Sequence, residues 1–241
     1  MTSPATRAVA ALAVLLFFAA GCGGKDDDSS GDGGDSAFAK QSGDKIADIA
    51  KTDMKSLDEV TFTGEINSEG SSIQLDVQAS SAGDCTGSIG IGGGKAEILA
   101  KGGTNWFRPD EAFWRENAGD SADAIIAAVG DKWVLDTDEN FSQFCDLDAF
   151  FDNVFKDEGD GGTYKTTGTE TIDGKDVVKV EQSDDDGTAT GYVLIDGKHY
   201  LVKIERTEGD EPGKLEFTDF NKEFSVDAPA DDEVIDLSTL Q

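Results

Sequence analysis

Positive charge is scarce in this 241-residue chain. Twenty Lys and Arg stand against fifty Asp and Glu, for a formal net charge of −30. That balance excludes nucleic acid as a default partner, because phosphate binding needs clustered Lys and Arg. It equally excludes adhesion to anionic headgroups through a basic patch. Histidine is reduced to His199, beside Tyr200 and just after Gly197-Lys198, where it reads as a turn residue. No Ser or Cys has an identifiable partner base, so no nucleophilic centre is expected and no catalytic residue is assigned. Only three cysteines occur, with neither CxxC nor metal-ligand spacing, which excludes a zinc or thiol-redox site. No apolar run reaches the roughly 20 residues that a membrane-spanning helix needs.

Two motifs begin and then fail. Gly94-Lys95 resembles the end of a phosphate loop, but Ile89 stands where its first Gly belongs and Ala96 where Ser or Thr belongs. Asp136-Thr137-Asp138-Glu139-Asn140 opens like a calcium loop, but Phe141 replaces the required Gly and Leu147 the bidentate Glu. No metal and no cofactor is expected.

The N-terminus is what the chain does have. Arg7 precedes an apolar run from Ala8 to Ala20, followed by Gly21-Cys22. A basic start, a short apolar stretch and small residues at its end make a secretory signal, residues 1–21. Ala20-Gly21-Cys22 resembles the lipobox of bacterial lipoproteins, with Ala19 where Leu is favoured. That resemblance implies diacylglycerol on the Cys22 sulfur, fatty acyl chains such as palmitate, and attachment to the outer face of the cell membrane. The alternative is ordinary secretion after an Ala-x-Ala-type cleavage. After Cys22, residues 23–36 are Gly, Ser and Asp with one Lys, a composition that cannot bury enough surface to order itself, so 22–36 reads as the lipidated Cys and a flexible tether. Loss of Arg7 with the signal would bring the mature chain near −31.

Residues 37–241 have the size of one domain. An exported chain sits in an oxidising compartment, and the two remaining cysteines, Cys85 and Cys145, point to a disulfide. The alternative is two buried free thiols.

Apolar residues at helical spacing (Ile46, Ile49, Ala50, Met54, Leu57) predict a helix between Lys40 and Leu57. Period-two alternation then predicts strands at 60–66, 73–79, 85–91, 95–101 and 104–108. Helical stripes follow after Pro109, across Ala122–Val129 and through Phe144, Leu147, Phe151 and Phe155, with a short strand at 132–135 between them. Strands return at 164–172, 177–182, 190–195, 200–206 and 215–220. Asp173-Gly174 and Asp196-Gly197 each sit between apolar segments and predict tight hairpin turns. The acidic tail after Asp227 reads as loosely held. The expected class is α+β: an incurved antiparallel sheet with helices across its concave face.

This order of elements, with the signal and Cys22, the tether, Asn105-Trp106-Phe107-Arg108-Pro109 and Gly168-Thr169-Glu170-Thr171-Ile172-Asp173-Gly174, resembles the LolA-like half-barrel superfamily. Within it the likeness is to actinobacterial LppX/LprG-type lipoproteins. The resemblance implies a half-barrel enclosing an apolar cavity for acyl chains or glycolipids, no catalysis, and a lipid ligand as partner beside the membrane itself. Trp106, Phe107, Phe113, Trp114, Trp133, Phe144, Phe151 and Phe155 are the candidate pocket lining. The same aromatics could serve as plain core. The alternative function is a protein-interaction or sensor lipoprotein without a lipid ligand; its protein partner is unknown.

Overall fold

Alternation of buried and exposed residues builds one long sheet. The computed structural model describes residues 36–68, 70–137, 141–155, 163–184, 187–207 and 212–240. The signal, Cys22 and the tether through residue 35 lie outside the described residues. Strands β1 (Glu59–Ser68) and β2 (Ser71–Ser80) form a hairpin, followed by β3 (Cys85–Ile91), β4 (Gly94–Lys101) and β5 (Thr104–Pro109). The short β6 (Trp133–Leu135) comes after two helices. The second half is a meander of β7 (Thr163–Ile172), β8 (Lys175–Asp184), β9 (Gly187–Leu194), β10 (Leu201–Arg206) and β11 (Gly213–Thr218), with β12 (Val234–Ile235) near the end. The order across the sheet is β12-β6-β5-β4-β3-β2-β1-β11-β10-β9-β8-β7, antiparallel except for the parallel β12–β6 pair. The two halves meet at one seam, where Thr61 of β1 pairs with Thr218 of β11.

The sheet is open and curls around its apolar face. Val60 and Phe62, Leu75 and Val77, and Ala96 and Ile98 point inward and are buried, while Thr61, Gln74, Asp76 and Glu97 alternate outward. Two glycines hold inner positions where neighbouring strands come close. A Cβ on Gly64 would lie 2.0 Å from the Lys214 carbonyl oxygen, and one on Gly87 would lie 2.2 Å from that of Asp76. Only a residue without a side chain fits there.

Among the described residues four α-helices supply what the curled face needs. Helix α1 (Gly43–Met54) turns Ile46, Ala50 and Met54 inward, all essentially unexposed. Its first residue abuts the backbone of β7, where a Cβ on Gly43 would meet Tyr164 and Lys165 at 2.5 Å. Helix α2 (Glu111–Asn117) is capped by the Asp110 carboxylate, which accepts from the Phe113 amide at 2.7 Å. The Asp146 carboxylate caps α4 (Leu147–Val154) in the same way, accepting from the Ala149 amide at 3.0 Å. Each cap contributes about 1 kcal/mol. Helix α3 (Ala122–Val129) packs on α2. Through α4, Phe150 stacks on Phe62 at 4.2 Å and Phe151 meets Phe217 at 6.2 Å, tying the helix across the β1–β11 seam. The α+β class with an incurved sheet and covering helices is therefore the observed fold.

Two local expectations differ. Asp173-Gly174 makes the two-residue turn, with φ of 50° and 75° and Ile172 opposite Lys175. Asp196-Gly197 does not: the connection widens to take in Lys198 and His199, and the Leu194 amide donates to the Tyr200 carbonyl at 2.9 Å. The cause is a competing set of bonds from α1. Asp53 accepts from the His199 amide at 2.9 Å and pairs with Lys198 at 3.0 Å, while the His199 ring lies on Phe38 at 3.6 Å. The acidic tail also finds a place, because its apolar pair Val234-Ile235 adds to β6 and covers the sheet edge.

Asp53 sets up a testable pH effect. Burial pushes its carboxyl upward, but the His199 amide and Lys198 ammonium outweigh burial and hold it below the ordinary aspartate value. A depressed carboxyl contributes stability above the unfolded pKa of about 3.9 and loses it as pH falls through the lower folded value. Urea denaturation should find Asp53→Ala about 2 kcal/mol less stable at pH 7, the scale of a buried charge-assisted bond and its neighbour. The gap between variant and wild type should close as the pH drops below about 4.

Candidate functional site

The inner face of the second half-sheet is lined by small or branched side chains. Ala189, Gly191 and Val193 occupy alternate inward positions on β9, next to Val180 on β8 and Leu201 on β10. Ala47 and Ala50 of α1 and Val154 and Phe155 at the end of α4 face them across a gap. Small residues on both sides leave an apolar cavity of about 40 Å³. That is room for only a few water molecules, so the cavity is small as it stands.

A second pocket, of about 420 Å³, opens at the other end of the same two helices. Its floor is apolar, with Met54 at the end of α1, Leu57 just beyond it, and Leu147 and Phe151 on α4. Its rim is polar, with Ser81, Asn105, Ser142, Asp146 and Asp148. The Cys85–Cys145 disulfide, its Cα atoms 5.3 Å apart, ties the start of β3 to the residue before the α4 cap and forms part of this wall. A third depression, of about 870 Å³, lies on the outer face and is lined by outward-pointing Thr63, Glu65, Gln74, Asp76 and Ser88 with Lys214. Gly90 leaves its floor low.

The aromatic segment divides three ways. Phe107, Phe113 and Trp114 pack with Phe141 at centroid separations of 5.2 to 6.3 Å and fill the space under α2. Trp106 alternates with buried Phe107 and so belongs to the opposite face, as does Trp133, whose ring lies 4.5 Å from the Arg108 guanidinium. Phe144 packs partly buried against the core. Only Phe155 lines the inner cavity, and Phe151 floors the pocket at the helices' other end. The residues that shape the cavity, Ala189-x-Gly191-x-Val193, carry a weak signal in the sequence. Small side chains at period two on an inward face mark missing volume, whereas aromatic content marks filled volume.

The titratable side chains nearby are tied into bonds within the fold. His199 donates from Nδ1 to the Leu194 carbonyl at 3.0 Å and stacks on Phe38, so its ring is committed to structure. Tyr192 is buried on the outer side. Burial and the bond to Glu205 push its hydroxyl well above the usual tyrosine range, and Lys203 lies 4.3 Å from its ring. Asp136, first in the calcium-like run, turns its carboxylate to the Phe141 amide at 3.0 Å, while residues 138–140 lie outside the described residues. Among the described residues no three His, Cys, Asp or Glu converge as a metal site, and no helix is long and apolar enough to cross a membrane.

No family model matches the sequence, and no curated protein matches it. Solved structures do match the fold. LprF from Mycobacterium bovis superposes with a TM-score of 0.53 at 14% identity, over 77% of this chain and 96% of that one. The Mycobacterium tuberculosis lipoprotein LppX gives 0.51 at 15% identity, over 76% and 97%. The chain has the half-barrel fold of these proteins, as the resemblance in its element order implied.

Proposed function

We propose that this chain is an envelope lipoprotein, held through acylated Cys22 at the outer face of the cell membrane, that carries an acyl-bearing ligand without turnover. On this reading residues 1–21 are the signal, 22–36 the tether and 37–241 the carrier domain. The observation that carries it is the apolar cavity between α1, the end of α4 and the inner face of β8–β10. Its size asks for movement. Ligand pockets run to roughly 300–1,000 Å³, so loading swings α1 or α4 outward from the sheet. The fold shared with the lipoprotein LppX supports the reading. So does the chain path, since the chain passes from Ser36 through a turn at residues 37–40 into the helix that roofs the cavity.

Mass spectrometry of organic extracts from the full chain purified from membranes tests it. A stoichiometric acyl species is expected, reduced about tenfold by Ala47→Phe, which fills the cavity from the half-buried face of α1. Absence of acyl material from wild type under mild extraction rejects the carrier reading. Cys22→Ala should move the protein from the membrane to the soluble fraction. The second reading, a lipoprotein acting through a protein partner, is favoured by the outer groove, which exceeds the inner cavity in volume. Crosslinking through Gln74→Cys in that groove separates the two readings, because a stoichiometric protein adduct together with lipid-free wild type supports this one.

A further inference from the structure

The two pockets flanking α1 and α4 lie one helical turn apart on both helices. On α1, Ala50 lines the inner cavity and Met54 floors the outer pocket. On α4, Phe155 lines the cavity and Phe151 the pocket. Four residues of helix span about 6 Å. On each helix a single turn separates the two spaces, and its residues on the pocket side, Met54 and Phe151, are 0% and 1% exposed. Neither is a glycine-packed backbone contact. Met has three rotatable bonds and adapts its shape readily.

We infer that Met54 and Phe151 are a side-chain plug, and that their displacement joins the two spaces into one channel open at the Ser81–Ser142 end. This rests on the carrier reading above and specifies its ligand. The acyl chain runs through the plug into the apolar cavity, and the headgroup stays in the polar pocket. The rim selects that headgroup. Ser81, Ser142 and Asn105 offer hydroxyl and amide groups, whereas Asp146 and Asp148 place two carboxylates at the mouth of a chain already at −30. Lys55 does not offset them for a ligand, since Asp152 holds it at 2.8 Å and Asp148 stands 3.9 Å away. An uncharged, hydroxyl-bearing headgroup is accepted and an anionic one repelled.

Binding of monopalmitoylglycerol and of palmitate to the full Cys22→Ser chain, followed by native mass spectrometry at pH 7.5, tests this. The uncharged probe should bind about tenfold more tightly than palmitate, the cost of placing a carboxylate near two others at a wet surface. Ser81→Trp, on an exposed turn at the rim, should weaken monopalmitoylglycerol about tenfold while leaving the circular dichroism melt unchanged. Met54→Ala should tighten it severalfold if the variant folds. Should it not fold, the Ser81→Trp and headgroup comparisons still decide. Equal binding of the two probes, or binding of both unaffected by Ser81→Trp, overturns the channel and leaves the carrier reading standing. No binding of either probe to any variant removes both.

Discussion

Replacing Cys85 and Cys145 with serine should cost the fold about 4 kcal/mol, the chain-entropy value for a bridge closing a loop of 60 residues. For a domain of this size each kcal/mol shifts the melting midpoint by about 2–4 °C, so a fall of about 10 °C is expected by calorimetry. Dithiothreitol should reproduce the shift in wild type. The bridge joins elements that little else connects. Cys85 begins β3 at 0% exposure, and Cys145 immediately precedes the Asp146 cap of α4. Without it the start of α4 is held by its cap, by Leu147 and by Phe150 on Phe62. Hydrogen exchange should therefore rise first in α4 and only later in β3–β4. A uniform rise, or a midpoint within 2 °C of wild type, would show that the bridge contributes little beyond packing.

The second large effect belongs to Gly64→Ala. The new methyl group would lie 2.0 Å from the Lys214 carbonyl oxygen, a backbone atom that no side-chain rotation can move aside. Strand β11 must withdraw from β1, loosening the Gly64–Leu215 pairing and the neighbouring Phe62–Phe217 register under Phe150. A loss of about 3 kcal/mol is expected in urea, in the range of substitutions that strain a backbone contact. Gly70→Ala serves as the control. Its Cβ meets nothing within 4 Å, so it carries only the strain of a positive φ. If the two variants lose the same stability, the curl of the sheet does not depend on Gly64.

Much of this architecture was legible in the residues because it follows from short-range rules. Ile46, Ala50 and Met54 repeat at helical spacing, and α1 forms there, trimmed at Gly43 where β7 presses on it. Val60-x-Phe62 and Leu75-x-Val77 alternate and become the inner face. Asp173-Gly174 carries the positive φ values its turn requires. The exceptions are set by distant partners. Asp196-Gly197 has the same local chemistry, but Asp53, far away in sequence, captures Lys198 and the His199 amide and opens the loop. The tail's Val234-Ile235 was invisible as a strand because two residues cannot show a period, and β6 supplies the missing template. The site was legible only in outline. Aromatics mark where volume is filled, so Phe107, Phe113 and Trp114 pack on one another, while the cavity sits where Ala47, Ala50 and Gly191 withhold volume.

The single seam between the half-sheets also fixes the order in which the chain can finish folding. Strands β1 to β5 pair with their sequence neighbours and can zip together as soon as they are made. Yet Thr61 must wait for Thr218, and until β11 arrives the free edge of β1 carries Phe62 and Val60 uncovered beside it. Pairings between such distant segments form late and slowly. An open apolar edge is meanwhile a template for other chains. Incomplete chains should therefore be most prone to aggregation just before synthesis of the last strands is complete. Chains truncated before Gly213 should form inclusions, whereas chains truncated after Asp227 should stay dispersed.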